Sequence, residues 1–105
     1  MYIIRRIWNI KPGVGYTRAA ADLVYQIGKI YEEAGQRTGV RVYWSGGTVP
    51  GPRAVYMEWE TDTLESPYRT DNENPEKAAQ LNLQIRDFTD GETVIEFYEV
   101  FKPAP

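Results

Sequence analysis

The chain has no cysteine and no histidine among its 105 residues. Without cysteine there are no thiol nucleophiles, no disulfides and no thiolate metal sites. Without histidine there is no Ser-His-Asp triad, no proximal-His haem and no imidazole member of a zinc ligand set. The side chain whose unperturbed pKa lies nearest neutrality is also missing. Charge of either sign is scattered: 12 Lys and Arg face 15 Asp and Glu, for a net charge of −3. No basic stripe of the kind a nucleic-acid binder carries is present. No apolar run approaches the roughly 18 residues of a membrane-spanning segment. The N-terminus, Met1-Tyr-Ile-Ile-Arg-Arg6, lacks the basic-then-apolar order of a signal peptide, and no Asn-x-Ser/Thr sequon occurs. These absences point to a cytoplasmic protein with no nucleic-acid or membrane partner.

What the chain does hold is ordinary in bulk, at 42% hydrophobic and 26% charged residues, and rich in aromatics, with 8 Tyr, 3 Trp and 3 Phe. The length suits one domain spanning residues 1–105, burying about 60–70% of the surface of the unfolded chain. No internal repeat or low-complexity tract interrupts it.

Tyr2 to Ile10 is β-branched and aromatic, a strand. Lys11-Pro-Gly-Val-Gly15 is punctuation. Ala20, Leu23, Ile27, Ile30 and Ala34 then fall at helical spacing, with Thr17 as the expected N-cap and Gly35 and Gly39 closing the helix. Val40 to Trp44 and Arg53 to Glu60 read as a hairpin around the long turn Ser45–Pro52. Asp62 to Arg69 suggests one or two helical turns, and Thr70 to Asn74 a polar loop. Asn74-Pro75-Glu76 opens a second helix, whose stripe is Ala78, Leu81, Ile85 and Phe88. Asp90-Gly91 reads as a turn, Glu92 to Phe101 as the last strand, and Pro103-Ala-Pro105 as its stop. The order β-α-β-β-α-β predicts an α+β, ferredoxin-like antiparallel sheet with two helices on one face.

Strand alternation sorts the side chains. Ile3, Ile7, Val55, Met57, Ile95 and Phe97 are expected to meet the helices. The other face, with Arg6, Trp8, Tyr56, Glu58, Glu96 and Tyr98, mixes aromatics and charge. A chain this short has no third layer to cover such a face, and large exposed apolar patches mark interaction sites. A second copy, sheet against sheet, is the expected cover, making a homodimer.

The stretch Val42-Tyr-Trp-Ser-Gly-Gly-Thr-Val-Pro-Gly-Pro-Arg-Ala-Val-Tyr-Met-Glu-Trp59, continuing into Thr63-Leu-Glu-Ser-Pro-Tyr-Arg69, resembles NIPSNAP-like domains. Those have a glycine-containing hairpin, an apolar strand ending near Trp, and a short helix ending in Arg. More broadly the chain resembles the dimeric α+β barrel superfamily, which includes antibiotic-biosynthesis monooxygenases and polyketide cyclases. The element order covers nearly the whole chain and the local motif about a quarter of it. The resemblance implies a homodimeric barrel with a small-molecule cavity, often in secondary metabolism. The Asn-Trp-Tyr grouping of the monooxygenases has no residue-by-residue match here, so no catalytic residue is carried over from it.

The residues themselves nominate one pocket. Trp8 and Tyr98 would stack on a planar, hydrophobic or aromatic ligand. Glu58 or Glu96 would act as general base, its pKa raised by burial or by the other carboxylate. Arg6 or Tyr56 would hold a developing enolate or phenolate. Trp44 joins as a substrate contact, although at a strand end it reads first as packing, as does Trp59. The bland alternative is that Arg6 simply neutralises Glu58 and Glu96, since buried charges need partners in any case.

Other features weigh less. The 45–53 loop fits a lid or exchange arm as well as a plain connector. Gly13-Val-Gly15-Tyr-Thr-Arg18 lacks the third glycine and the parallel βαβ unit of a dinucleotide fingerprint. Tyr16, Tyr25 and Tyr31 on the first helix read mainly as core, and Gly28 as a close helix–sheet approach. Glu65, Asp71, Glu73 and Glu76 form a solvated face, where nothing fixes the geometry of a magnesium site.

Two functions compete. One is an enzyme of polyketide-like metabolism, a cofactor-independent oxygenase or cyclase working without metal or flavin through a carboxylate base. The other is a noncatalytic ligand-binding or accessory homodimer in a biosynthetic pathway. An RNA-binding domain shares the element order, but its basic sheet motif would fall on the third strand, which is acidic here.

Overall fold

The computed structural model describes residues 1–62 and 76–102. Within them β1 (Tyr2–Ile10), α1 (Tyr16–Glu33), β2 (Thr38–Trp44), β3 (Ala54–Thr61), α2 (Glu76–Ile85) and β4 (Thr89–Glu99) follow in chain order. The strands form one four-stranded sheet in the order β2-β3-β1-β4. Every neighbouring pair is antiparallel. This is the βαββαβ ferredoxin-like arrangement. The expected helical turns within 62–69 and the motif's Thr63–Arg69 lie outside the described residues, apart from Asp62, as do the Asn74-Pro75 cap and Pro103–Pro105.

α1 forms because its apolar residues recur every three or four positions. The buried stripe is Ala20, Val24, Ile27 and Tyr31, with Ala21 and Gly28 beside it. Leu23 and Ile30 flank the stripe rather than centre it, and are only partly buried. The helix starts earlier than expected: Gly15, in the left-handed region at φ 78°, is its N-cap, and no side chain caps the first turn. Thr17 lies inside the helix instead. Gly28 permits a close approach, because a Cβ there would sit 2.7 Å from Val40 Cγ1 and 3.1 Å from Met57 Sδ. α2 presents Ala78 and Ile85 to the core, with Leu81 and Phe88 packed against it. Val24, Ile27, Val55 and Met57 are fully buried, and burying side chains of this size stabilises by about 1.5–3 kcal/mol each.

The sheet faces differ from expectation in β1. Ile4 (4% exposed), Trp8 (3%) and Ile10 (7%) face the helices with Val55, Met57 and Trp59. Cross-strand partners point to the same side, and Arg6 is opposite Met57 while Ile4 is opposite Trp59. Ile3 and Ile7 therefore share the open face with Arg5, not the core. Val55, Met57 and Ile95 do turn to the helices. Phe97 lies on that side at its periphery and stays half exposed. Both faces of β1 are similarly apolar, so composition alone does not orient it. Register decides: one residue of slip exchanges every side chain between faces.

Asp90-Gly91 is not a turn. Both residues lie inside β4, where the register against β1 shifts between Ile7 and Asn9. Gly91 has φ 73°, so the device is a bulge that a glycine accommodates.

Candidate functional site

The open face of the sheet is organised around Arg5. Its Nε and Nη2 donate to Glu96 Oε1 at 3.0 and 2.8 Å. Nη2 also donates to the Tyr98 hydroxyl at 2.7 Å, and Tyr98 in turn donates to Glu96 at 2.7 Å. Nη1 reaches the Tyr43 hydroxyl at 3.5 Å. The guanidinium lies 4.9 Å from the Tyr98 ring and 5.4 Å from the Tyr56 ring. Tyr43 and Tyr56, cross-strand partners, stack at 5.1 Å with 18° between planes. One strand over, Arg41 Nη2 donates to Glu58 at 2.9 Å. The register explains the cluster: Arg5 is opposite Glu58 on β3 and Glu96 on β4, and Glu58 is opposite Arg41 on β2.

The electrostatics follow from these contacts. Hydrogen bonds from Tyr98 and Arg5 hold the Glu96 carboxyl below the usual carboxylate range. Tyr43, Glu96 and Tyr98 in turn stabilise the charged form of Arg5. Burial pushes the Tyr43 phenol up, against the pull of Arg5. Glu96 and Glu58 are thus engaged by Arg5 and Arg41, with Arg6 on the other face of the sheet.

Glu58, Glu96, Tyr56 and Tyr98 therefore come together as expected, while Arg6 and Trp8 do not join them. These two lie on the helix side, where the Arg6 guanidinium stands 4.8 Å from the Trp8 ring. Both line a cavity of about 470 Å³ between the sheet and α2, with Asn82, Arg86 and Glu92. Trp44 stands apart again, two strands over on β2, where it and Trp8 flank Val55 from either side. The odd-even alternation that paired Arg6 with the acids runs through the wrong member of the Arg5-Arg6 pair.

The sequence reading missed Arg5, Arg41 and Tyr43 on the open face, and Arg37 on the helix side. Arg5 was visible as a charge in a strand, but only the register makes it the centre of the open face. Arg37 follows α1 in a polar segment and looks like a surface charge. In the fold its guanidinium lies 3.9 Å from the Tyr31 ring and 3.8 Å from the Trp59 ring. Its Nη1 approaches Met57 Sδ at 3.7 Å. Burial draws its pKa down to about 10, with Tyr31 opposing the fall and Arg6 adding to it. No local pattern marks such a residue, because the rings that hold it come from α1 and β3.

Among the described residues no group of three His, Cys, Asp or Glu side chains gathers as a metal ion would require. Nor is any described helix long and apolar enough to cross a membrane.

The architecture defines a ferredoxin-like α+β domain. No protein-family model and no curated protein matches the chain. Solved structures do. An uncharacterized NIPSNAP domain protein from Burkholderia xenovorans superposes with a TM-score of 0.60 at 15% identity, over 99% of this chain and 100% of that one. A protein described as an antibiotic biosynthesis monooxygenase from Deinococcus radiodurans superposes at 0.57 and 15% identity, over 100% and 97%. A dimeric protein of unknown function and ferredoxin-like fold from Bacteroides fragilis gives 0.56 at 9% identity, over 94% and 96%. At these identities the likeness establishes a shared fold, the one expected of the NIPSNAP-like and monooxygenase-like group.

Proposed function

We propose that the protein is a sheet-to-sheet homodimer that takes a small planar, hydrophobic compound and acts on it as a cofactor-independent oxygenase or cyclase of polyketide-like metabolism. The observation that best supports this is the Arg5 cluster. A guanidinium tied to Glu96, Tyr98 and Tyr43, with the Tyr56 ring beside it, sits on a face that no described helix covers. A second copy across this face would close it from water, where fixed dipoles and charges act most strongly. The likeness to the dimeric Bacteroides protein supports the assembly, and the likeness to the Deinococcus protein supports the chemistry. On this reading Arg5 stabilises the enolate or phenolate, Glu58 or Glu96 accepts the proton, and the tyrosines hold the ring. The electron-rich carbon then meets O₂ or closes on a carbonyl of the same molecule.

A second reading is favoured by one observation: both carboxylates are engaged by arginines, and Glu96 is held below its ordinary range. A carboxylate with a lowered pKa is a weak base near neutral pH. The same homodimer would then bind its ligand without transforming it.

Sedimentation equilibrium tests the assembly. The wild type is expected at twice the 12.1 kDa chain mass, and Val94→Glu, on the open face, as monomer; a monomeric wild type overturns both readings. Oxygen uptake and product analysis with polyhydroxylated aromatic substrates test the chemistry. Turnover lost in Glu58→Gln or Glu96→Gln with binding retained supports the enzyme. Binding without turnover in the wild type supports the second reading.

A further inference from the structure

A second cavity shares no lining residue with the Arg5 cluster or with the cavity of Arg6 and Trp8. It opens at the end of the sheet where β1 runs into α1, has a volume of about 650 Å³, and is walled by Lys11, Arg18, Trp44, Arg53 and Asp90 together with Gly13, Gly15 and Thr17. Five parts of the chain build it: the β1–α1 connection, the first turn of α1, the end of β2, the foot of β3 and the start of β4. Backbone bonds pin them to one another. The Ile10 amide donates to the Arg53 carbonyl at 2.9 Å and the Lys11 amide to the Phe88 carbonyl at 2.9 Å. Ser45 and Ala54 close the hairpin mouth, with the Ala54 amide donating to Ser45 Oγ at 3.0 Å and the Ser45 amide to the Ala54 carbonyl at 3.0 Å. The wall is part of the folded framework rather than a loose surface.

Its chemistry is one-sided. Three cations stand against one carboxylate, Asp90. None of Lys11, Arg18 and Arg53 enters an ion pair among the described residues, whose ion pairs lie on the open face and along α1. Like charges brought into one cavity raise the local potential and favour an anion. The same wall carries an indole. Trp44 is 44% exposed, unlike the buried Trp8 and Trp59, and the Arg18 guanidinium stands 6.0 Å from its ring. A large exposed aromatic beside three cations, in a concave site, matches how proteins take planar anions: stacking on the ring and charge-assisted hydrogen bonds at the rim.

We propose that this cavity is a binding site for a small planar anion, an aromatic carboxylate or aryl phosphate. Its acidic group is held by Arg18, Arg53 and Lys11, and its ring lies against Trp44. The cavity is separate from the open sheet face, so the proposal stands whether or not that face forms a homodimer.

The test uses the purified wild-type chain and calorimetric titration with 2-naphthoate and 1-naphthyl phosphate, with 2-naphthol as the neutral match and inorganic phosphate as the ringless one. Trp44 is the exposed indole, so tryptophan fluorescence is expected to quench on binding. The aromatic anions are expected to bind at least tenfold more tightly than 2-naphthol and than inorganic phosphate. Raising the salt from 50 to 500 mM is expected to weaken them severalfold. Arg18→Gln and Arg53→Gln are each expected to weaken them tenfold or more, and Trp44→Ala to abolish the quench. Lys29→Gln, on the far part of α1, is expected to bind as wild type. Equal binding of naphthoate and naphthol, or unchanged binding in both arginine variants, overturns the proposal. The neutral-ligand and salt comparisons need only the wild type, so they decide the matter even where a variant does not fold.

Discussion

Arg5 and Glu96 face each other across β1 and β4, and two nitrogens of the guanidinium grip the same carboxylate oxygen at 3.0 and 2.8 Å. That contact, with the Tyr98 hydroxyl bridging both groups, sets the charge state of the open face.

The first expected outcome is a titration. Glu96 ionises below its ordinary value of 4.5 in the folded chain. A carboxylate with a depressed folded pKa adds stability above its unfolded pKa and loses it as the pH falls through the folded value. Carbon-13 NMR of the Glu96 carboxyl is expected to show a midpoint below 4.5, and Arg5→Gln to bring it back toward 4.5. A wild-type midpoint at or above that value contradicts the geometry.

Trp8 and Trp44 are expected to part company on truncation. Trp8 is 3% exposed and belongs to the core, so Trp8→Ala is expected to cost about 3–5 kcal/mol. Trp44 lies at the rim of a cavity, and Trp44→Ala is expected to cost less than about 1 kcal/mol, as surface changes generally do. Urea denaturation of both variants makes the comparison. Any activity lost in Trp8→Ala is then to be read against the fraction still folded.

Gly28 offers a case where helix propensity and packing oppose each other. Alanine is favoured over glycine inside a helix by about 1 kcal/mol. Here the new methyl group would meet Val40 at 2.7 Å and Met57 at 3.1 Å, and overpacking costs about 1–3 kcal/mol. Packing is expected to win, so thermal unfolding of Gly28→Ala is expected several degrees below wild type; an increase would mean that α1 can lift off the sheet at no cost.

Arg37 is a cation held between two rings with no carboxylate partner among the described residues. Desolvation opposes its charge, and replacing a buried charge by an apolar side chain of similar length is often neutral. Arg37→Met is expected within about 1 kcal/mol of wild type. Arg37→Ala is expected to cost about 2 kcal/mol or more, through the lost packing of the stem. Equal losses in both would show that the cation–π contacts carry the stability. Chemical denaturation near pH 7 distinguishes the two.

The element order was legible because each element carries its own signal: helical spacing in α1 and α2, alternation in β3, and turn residues between Trp44 and Ala54. The faces of β3 and β4 were legible too, and with them the grouping of Glu58, Tyr56, Glu96 and Tyr98. β1 was not. Ile3, Ile7, Ile4 and Ile10 make both of its sides apolar, and adjacent arginines put one cation on each. Only the pairing of Arg6 with Met57 and of Arg5 with Glu58 breaks the tie, and pairing is a long-range property. The bulge at Gly91 was hidden for a similar reason. Asp-Gly is a common turn signal, and its use inside a strand depends on the partner strand. The Arg37 cage and the cation-rich cavity draw residues from several elements, so neither leaves a motif.

The bulge in β4 has a bearing on how copies of this chain avoid one another. β2 and β4 are the two outer strands of the sheet. β4 is kinked near Gly91, and the register of β2 breaks between Thr38 and Arg41, where Gly39 has φ 65°. β4 also carries Asp90, Glu92, Glu96 and Glu99 along its length. Kinks and charges on outer strands deter the addition of a further strand from a neighbouring molecule. The sheet is thus guarded at both of its edges against growing sideways into fibres.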